Sequence, residues 1–433
     1  MRKALAAAIP LLLLGGIAGC GAGSSDNSTA SNAPVTIQFW NTFTGPLETE
    51  LGSLVKDFES SHPNIKVKLV YQPYDSMLQA LQTSVAAKKP PAIAQLELTQ
   101  MGQLATDGAL APISDLLSAN DAKAVQKSII PAIATANSYQ GKLYTVPLGY
   151  NSNVLYYNKD LLAQAGISPQ DMPKTWAQLE QDSQKLAKDT NGDGKTDTFG
   201  YAFPAQAPWI LEVRLWQSGA QLFNDANNKA LFDSPQAVNT FKQYQDLLNT
   251  KSAEMVQTDS SLDQLTDLFA AGKVAMFEQS STAVQAITSA AKFDVGEAQF
   301  PTMGKQVYSL GGYNLGVFNG APPAQQKAAA ELMKWWTSPD VAAKWTSVSN
   351  YMPGIQAAWN TDTLKQWQSA DPRRAVAAAQ MPYTRSRPNL PNYNEIADDL
   401  ADAFESTMRG QGTPQANLTK AVGQAKDVIS ESN

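Results

Sequence analysis

Between residues 35 and 96 the hydrophobic period of the chain switches repeatedly between two and 3.6 residues, and this alternation narrows the possible folds most. VTIQFW at 35–40 sets Val35, Ile37 and Phe39 against Thr36, Gln38 and Trp40, the pattern of a half-buried strand. PLETELGSLVKDFESSHP then gathers Leu47, Leu51, Leu54, Val55 and Phe58 on one helical face. Pro46 stands near its start, where a missing N–H leaves no helical bond unmade. IKVKLVY at 65–71 alternates again, MLQALQTSVAA is helical, and PAIAQL reads as a short buried strand. Strands separated by helix-length connections predict a mostly parallel sheet covered by helices, and hence an α/β fold.

The theme repeats downstream. NVLYYNKD is strand-like, and LLAQAG is a helix turn stopped by Gly166. PKTWAQLEQDSQKLAK opens with a capping box, Thr175 with Gln178, in which each side chain bonds the other residue's backbone N–H. DLFAAGKVAMFEQ is a helix closed at Gly272 and followed by a strand. The C-terminal third is helical: AQQKAAAELMKWWTS, PNYNEIADDLADAFESTMRG, and a last helix from Thr413. No solenoid-length repeat is visible. The chain has 433 residues, more than one hydrophobic core usually serves, so two α/β lobes are expected.

The N-terminus MRKALAAAIPLLLLGGIAGC combines Arg2 and Lys3 with a short apolar run, Ala4 to Leu14. This is a secretory signal, residues 1–19, too short for a membrane span. Ile17-Ala18-Gly19-Cys20 resembles the bacterial lipoprotein cleavage box, which implies lipid on Cys20, the sole cysteine. Residues 20–34, small and polar after the cysteine, form a flexible tether. An extracytoplasmic body anchored to the membrane by lipid follows.

Catalytic constellations are scarce. His62 is the single histidine, and no HExxH, CxxC, G-x-S-x-G or P-loop pattern occurs. The 39 acids are scattered, and none stands out as a glycosidase pair. A net charge of −6 without a basic stripe argues against a nucleic-acid partner. Trp40, Tyr74, Tyr150, Trp209, Tyr313, Tyr351 and Tyr383 lie at strand ends or in Pro/Gly/Asn-rich connections. Aromatic faces stack on sugar C–H faces while amides and acids bond hydroxyls, so a cleft for a small polar ligand is expected.

DTNGDGKTD, 189–197, is similar to a calcium loop: Asp189, Asn191, Asp193 and Asp197 fall at positions one, three, five and nine. Lys195 offers its carbonyl at seven, and Gly194 supplies the turn. Position twelve is Gly200 instead of a bidentate Glu, and FGYAF beyond it reads as strand. Two readings follow, a polar turn capped by its own Asp and Asn, or a corner stapled by structural Ca2+. No other cofactor is expected.

In their order, VTIQFWNTFTGP, VPLGYNSNVLYYNKDLLAQAGI with PKTWAQL, LFAAGKVAMFEQSS, LGGYNLGVF, NYMPGIQAAW and PNYNEI resemble the extracellular solute-binding components of bacterial ATP-driven importers. The class is that for sugars and glycerol-3-phosphate. The resemblance implies a two-lobed periplasmic-binding-protein-like fold of type II with interleaved lobes. Lobe one takes 35–145 and 312–360, lobe two 146–311 and 361–433, with hinge crossovers near Val146–Asn151 and Gly311–Gly312. It implies a monomer that delivers a solute to a membrane permease and its ATPase, and no enzymatic activity.

Carried over residue by residue, the glycerol-3-phosphate pattern implies a cleft tyrosine at Tyr74, a stacking tryptophan at Trp209 and hydroxyls at Ser280 and Ser281. It further implies a backbone amide at Gly312, a second tyrosine at Tyr351, and a phosphate-pairing arginine at Arg385 or Arg387. Two positions depart from it. The family's acid falls on Leu98, with Glu97 one place early, and Tyr150-Asn151 replaces a double serine in the first crossover. The added bulk and amide suit a sugar at least as well as a phosphate. A secreted polysaccharide-acting enzyme and a surface adhesion lipoprotein are the rival classes.

Overall fold

The computed structural model describes residues 34–256 and 261–431. The signal segment, Cys20 and the tether up to residue 33 lie outside the described residues. Within them, the alternation at the start of the chain becomes a parallel sheet. Val35–Asn41 lies between Ile65–Tyr71 and Ile93–Glu97, parallel to both. The helix Gly45–Ser61 covers this sheet with Leu51, Leu54, Val55 and Phe58, the apolar face anticipated from the spacing.

The sheet is completed by residues distant in sequence. Tyr308–Val317 pairs antiparallel with Ile93–Glu97 and with Thr145–Asn151, and parallel with Thr384–Ser386. A second sheet has the strand order Val295–Gln299, Asn153–Asn158, Val274–Ser280, Phe199–Pro204, Ala253–Val256. Its first three strands pair antiparallel and the remainder parallel. A single residue, Ser152, carries the chain from the first sheet to the second, because Thr145–Asn151 belongs to the first and Asn153–Asn158 to the second, and the chain returns between Gln299 and Tyr308.

The long strand Tyr308–Val317 enters both interiors. Tyr308 packs with Trp176, Tyr201 and Phe300 near the second sheet, while Leu315 and Val317 pack with Ile37, Phe39 and Trp336 near the first. Around Ser152 and Asn153 one buried side chain, Gln380, ties the crossover together. Gln380 donates to Ser152 Oγ and the Asn153 carbonyl, and its Oε1 accepts from Phe300 N–H. Such a buried side chain is held firmly, since an unmatched amide there costs about 1–3 kcal/mol.

The Thr175–Gln178 capping box forms in full and starts the helix Trp176–Leu186. One helix departs from a simple amphipathic pattern. Pro208–Ser218 buries Glu212, Arg214 and Gln217 together with its apolar residues. Arg214 pairs with Glu278, donates to Gln217 Oε1 at 3.1 Å, and lies 3.7 Å from the centre of the Phe300 ring.

Candidate functional site

In open α/β sheets, ligands bind beyond the carboxyl ends of the strands, where the backbone turns away and leaves a crevice. Both sheets direct such ends at one place here. Glu97 closes Ile93–Glu97 and Tyr74 follows Ile65–Tyr71 on the first sheet, while Ser280 closes Val274–Ser280 on the second. Trp209 follows Phe199–Pro204, at the first turn of Pro208–Ser218. Between them lies a cavity of about 580 Å³, within the range usual for small-molecule sites.

Tyr74, Trp209 and Tyr313 bring aromatic surface to its wall. The Tyr74 hydroxyl donates to Glu97 Oε1 at 2.5 Å, and burial together with the Glu97 charge raises its pKa above that of an ordinary phenol. Tyr313 is backed by Tyr351 and Phe43, with ring centres 5.6 and 5.8 Å away. Burial, then the neighbouring phenols and Glu97, likewise raises the Tyr313 hydroxyl. Both phenols therefore stay neutral donors at any physiological pH.

Among the described residues Arg387 is the one cation on the wall. It donates from Nε and from a terminal nitrogen to the two carboxylate oxygens of Glu212, at 2.9 and 3.2 Å, and its guanidinium lies over Tyr393. Burial lowers the Arg387 pKa, but Glu212, Tyr393 and Glu97 outweigh it and the net shift is upward. Glu212 is almost completely buried, and burial raises its carboxyl against the pull of Arg387. Two acids complete the charged wall, Glu97 and Asp398, the latter raised chiefly by burial.

Of the residues singled out from the sequence, the structure brings Tyr74, Glu97, Asn151, Trp209, Ser280, Gly312 and Arg387 together on this wall. Four lie elsewhere. Tyr150 is fully enclosed: its hydroxyl accepts from Asn137 and donates to Asn314, which leaves it no reach into the cleft. Ser281 sits one residue too deep, its N–H bonded to the Ser152 carbonyl. Tyr351, 9% exposed, stands behind Tyr313, with its hydroxyl between those of Tyr313 and Thr282, and burial has pushed it up to about 12. Arg385 lies over Trp216 outside the cleft, so of the two arginines Arg387 faces it.

Sequence reasoning passed over Gln100, Ser309, Asn394 and Asp398 on the wall, and Glu212 behind it. Asn394 and Asp398 carried a usable signal: they are four residues apart on the helix Tyr393–Met408 and so share a face. Glu212 carried none, since an acid within WILEVRLW shows no partner in sequence.

The 189–197 loop lies in neither the cleft nor its walls. Asp189 accepts from the N–H groups of Gly192 and Gly194, Asn191 from Asp193, Asp193 from Lys195, and Asp197 from Thr190. These are the bonds of the polar turn. Among the described residues no group of three or more Asp, Glu, His or Cys side chains is arranged to hold a metal. Position twelve also excludes a glutamate. A Cβ on Gly200 would lie 2.0 Å from the Ser183 carbonyl oxygen, because the strand there packs directly on the helix Trp176–Leu186. The donor set therefore does not fit an EF-hand calcium site.

Comparison with known proteins agrees with this geometry. A family model described as bacterial extracellular solute-binding protein matches residues 53–372. The chain is 28% identical over 422 residues to the sn-glycerol-3-phosphate-binding periplasmic protein UgpB of Yersinia enterocolitica, covering 93% of this chain and 94% of that one. The Pectobacterium atrosepticum protein of the same name is 27% identical over 426 residues, 93% of each. Among solved structures it is similar to the cyclic alpha-maltosyl-1,6-maltose binding protein of Arthrobacter globiformis, with a TM-score of 0.80 at 23% identity, covering 92% and 100% of the two chains. It is also similar to UgpB of Mycobacterium tuberculosis in complex with glycerophosphocholine, with a TM-score of 0.79 at 20% identity, covering 92% and 99%. The fold is thus the two-lobed type II arrangement of periplasmic binding proteins.

Proposed function

The chain belongs to the bacterial extracellular solute-binding protein family, and we propose that its solute is an uncharged, hydroxyl-rich molecule of the sugar class. The charge balance of the cleft carries this reading. Its single cation among the described residues, Arg387, is matched by Glu212, and Glu97 and Asp398 add negative charge. A phosphate dianion would lose its hydration facing a wall of net negative charge, a cost that only an uncompensated cation could offset. A neutral sugar faces no such penalty: its hydroxyls meet Glu97, Asn151, Gln100 and Asp398 while Trp209, Tyr74 and Tyr313 offer faces for stacking. Similarity to sn-glycerol-3-phosphate-binding periplasmic proteins and, in fold, to a cyclic alpha-maltosyl-1,6-maltose binding protein supports these two classes of solute, and the charges favour the second.

Capture between two interleaved lobes, with the first crossover at Ser152 instead of the expected 145/146 and with Tyr308–Val317 and Thr384–Ser386 returning to the first sheet, suits a monomer that closes on its solute and passes it to a permease driven by an ATPase. A lipid on Cys20 would hold it at the outer membrane face of that permease. No catalytic role is proposed: Glu97 is committed to Tyr74, which suits a binding acceptor better than a general acid. Isothermal titration with neutral mono- and oligosaccharides and with glycerol-3-phosphate tests the reading. Saturable binding of a saccharide, with glycerol-3-phosphate inert or much weaker, is expected. Micromolar binding of glycerol-3-phosphate with no response to any saccharide would overturn it.

A further inference from the structure

We propose that a second cavity, beside the cleft and sharing Arg387 with it, binds a small oxyanion through Arg385. Its volume is about 540 Å³, and four separate stretches contribute to its lining: Thr135–Gln140, Ala226–Asn228, Arg385–Pro391 and Ile429. Among the described residues two arginines and no carboxylate side chain line it, the reverse of the cleft, where two acids accompany one arginine. Asp225, the nearest acid in sequence, falls just outside the lining.

Arg385 is distinguished by what it lacks. Arg214, Arg373, Arg387 and Arg409 each pair with a carboxylate, and Arg374 donates to the Trp367 carbonyl. Arg385 alone among the described arginines has neither an ion pair nor a hydrogen-bond acceptor. It is nevertheless positioned: its guanidinium lies 4.7 Å from the centre of the buried Trp216 ring. A cation–π contact of this kind holds the side chain without using its N–H donors, so the fork that can grip a phosphate or carboxylate through two bonds is left free. Further donors stand close by. Asn228 has its Oδ1 engaged by Asn224, which leaves its NH2 group without an acceptor among the described residues, and Gln140 lines the same space.

This site is independent of which solute the cleft takes. Its chemistry is that of a singly or doubly charged oxyanion, either a free ion or the acidic group of a larger solute. Titration of the full chain with sodium phosphate, at constant ionic strength set by chloride, tests it. One saturable site is expected, weakened about tenfold or more by Arg385→Gln and likewise by Asn228→Asp, which places a carboxylate in the cavity. Arg385→Gln should leave saccharide binding in the cleft unchanged, and Trp209→Ala should leave phosphate binding within about twofold. Glycerol-3-phosphate that competes with phosphate, and is weakened by the same two substitutions, would identify the acidic group of a larger solute as a source of the anion. The proposal is overturned if the wild type shows no saturable phosphate binding, or if Arg385→Gln binds phosphate as the wild type does. Loss of phosphate binding in Trp209→Ala alone would move the anion into the cleft and overturn it too. Failure of every saccharide, with phosphate still lost on Arg385→Gln, would sink only the sugar reading.

Discussion

Arg387 reaches the cleft wall with two of its nitrogens already donating to Glu212, so the charge it can offer a solute is set by a residue the solute never touches. Glu212→Gln removes that counter-charge and keeps the shape. Affinity for glycerol-3-phosphate should then rise by about tenfold or more, with a smaller change for saccharides, as read by titration calorimetry. No gain would mean that charge balance is not what disfavours the phosphate. The same change should cost about 2–3 kcal/mol of stability in urea, since Arg387 is left with a weaker partner in a largely buried position. Arg387 could be narrowed to one of two arginines from the sequence, but Glu212 could not be found there, because its partner lies 175 residues away. In the 189–197 loop the reverse holds: spacing drew attention to oxygens that the folded loop spends on its own N–H groups. The polar-turn reading expects the same melting temperature in excess EGTA as in millimolar calcium, and a calcium-dependent rise would favour the staple.

The elements were the most legible part of the sequence, since a period of two or 3.6 is local information. The helix over 414–431, the capping box at Thr175 and the parallel start of the first sheet follow from neighbouring residues alone. The long strand Tyr308–Val317 is different. It carries a register shift between Tyr313 and Asn314, and just before it Gly312 has φ +120. A Cβ there would sit 2.2 Å from the Gly149 carbonyl oxygen. Gly312 was singled out as a ligand contact, and the structure gives it a second duty, to let two strands approach on the cleft wall. Gly312→Ala should cost about 3 kcal/mol or more in equilibrium denaturation, because both the dihedral and the close approach are lost. A change within 1 kcal/mol, roughly the size of an ordinary Gly-to-Ala exchange, would show that the strand can shift to accept a side chain.

For the molecule as a whole, the buried acids decide how stability varies with pH. Burial raises Glu297 well above its usual value of 4.5, and raises the fully enclosed Glu212 as well. In the folded chain they keep their protons to higher pH than in the unfolded chain, so this stability is fully present below the unfolded value and is lost as pH rises through the folded one. Asp371 runs the other way: against its burial, Arg373 holds it below 3.8, so its contribution is present above that value and lost as pH falls further. The melting temperature should therefore rise as pH is lowered from neutrality toward the usual carboxylate value of 4.5 and fall again once pH drops below 3.8, as calorimetry across a pH series would read. A monotonic fall on acidification would mean that the buried acids ionise freely. Periodicity and turn residues, acting over one or two helical turns, determined by themselves that the chain would build two α/β sheets with their helices, because a residue's burial within an element depends on its immediate neighbours. Which strand ends meet, which arginine enters the cleft and which is left beside Trp216 with no acceptor, and that Glu212 lies beneath the wall were decided only in the tertiary structure. The reason is physical: charge balance and close approach depend on distances between segments that the sequence separates by more than a hundred residues.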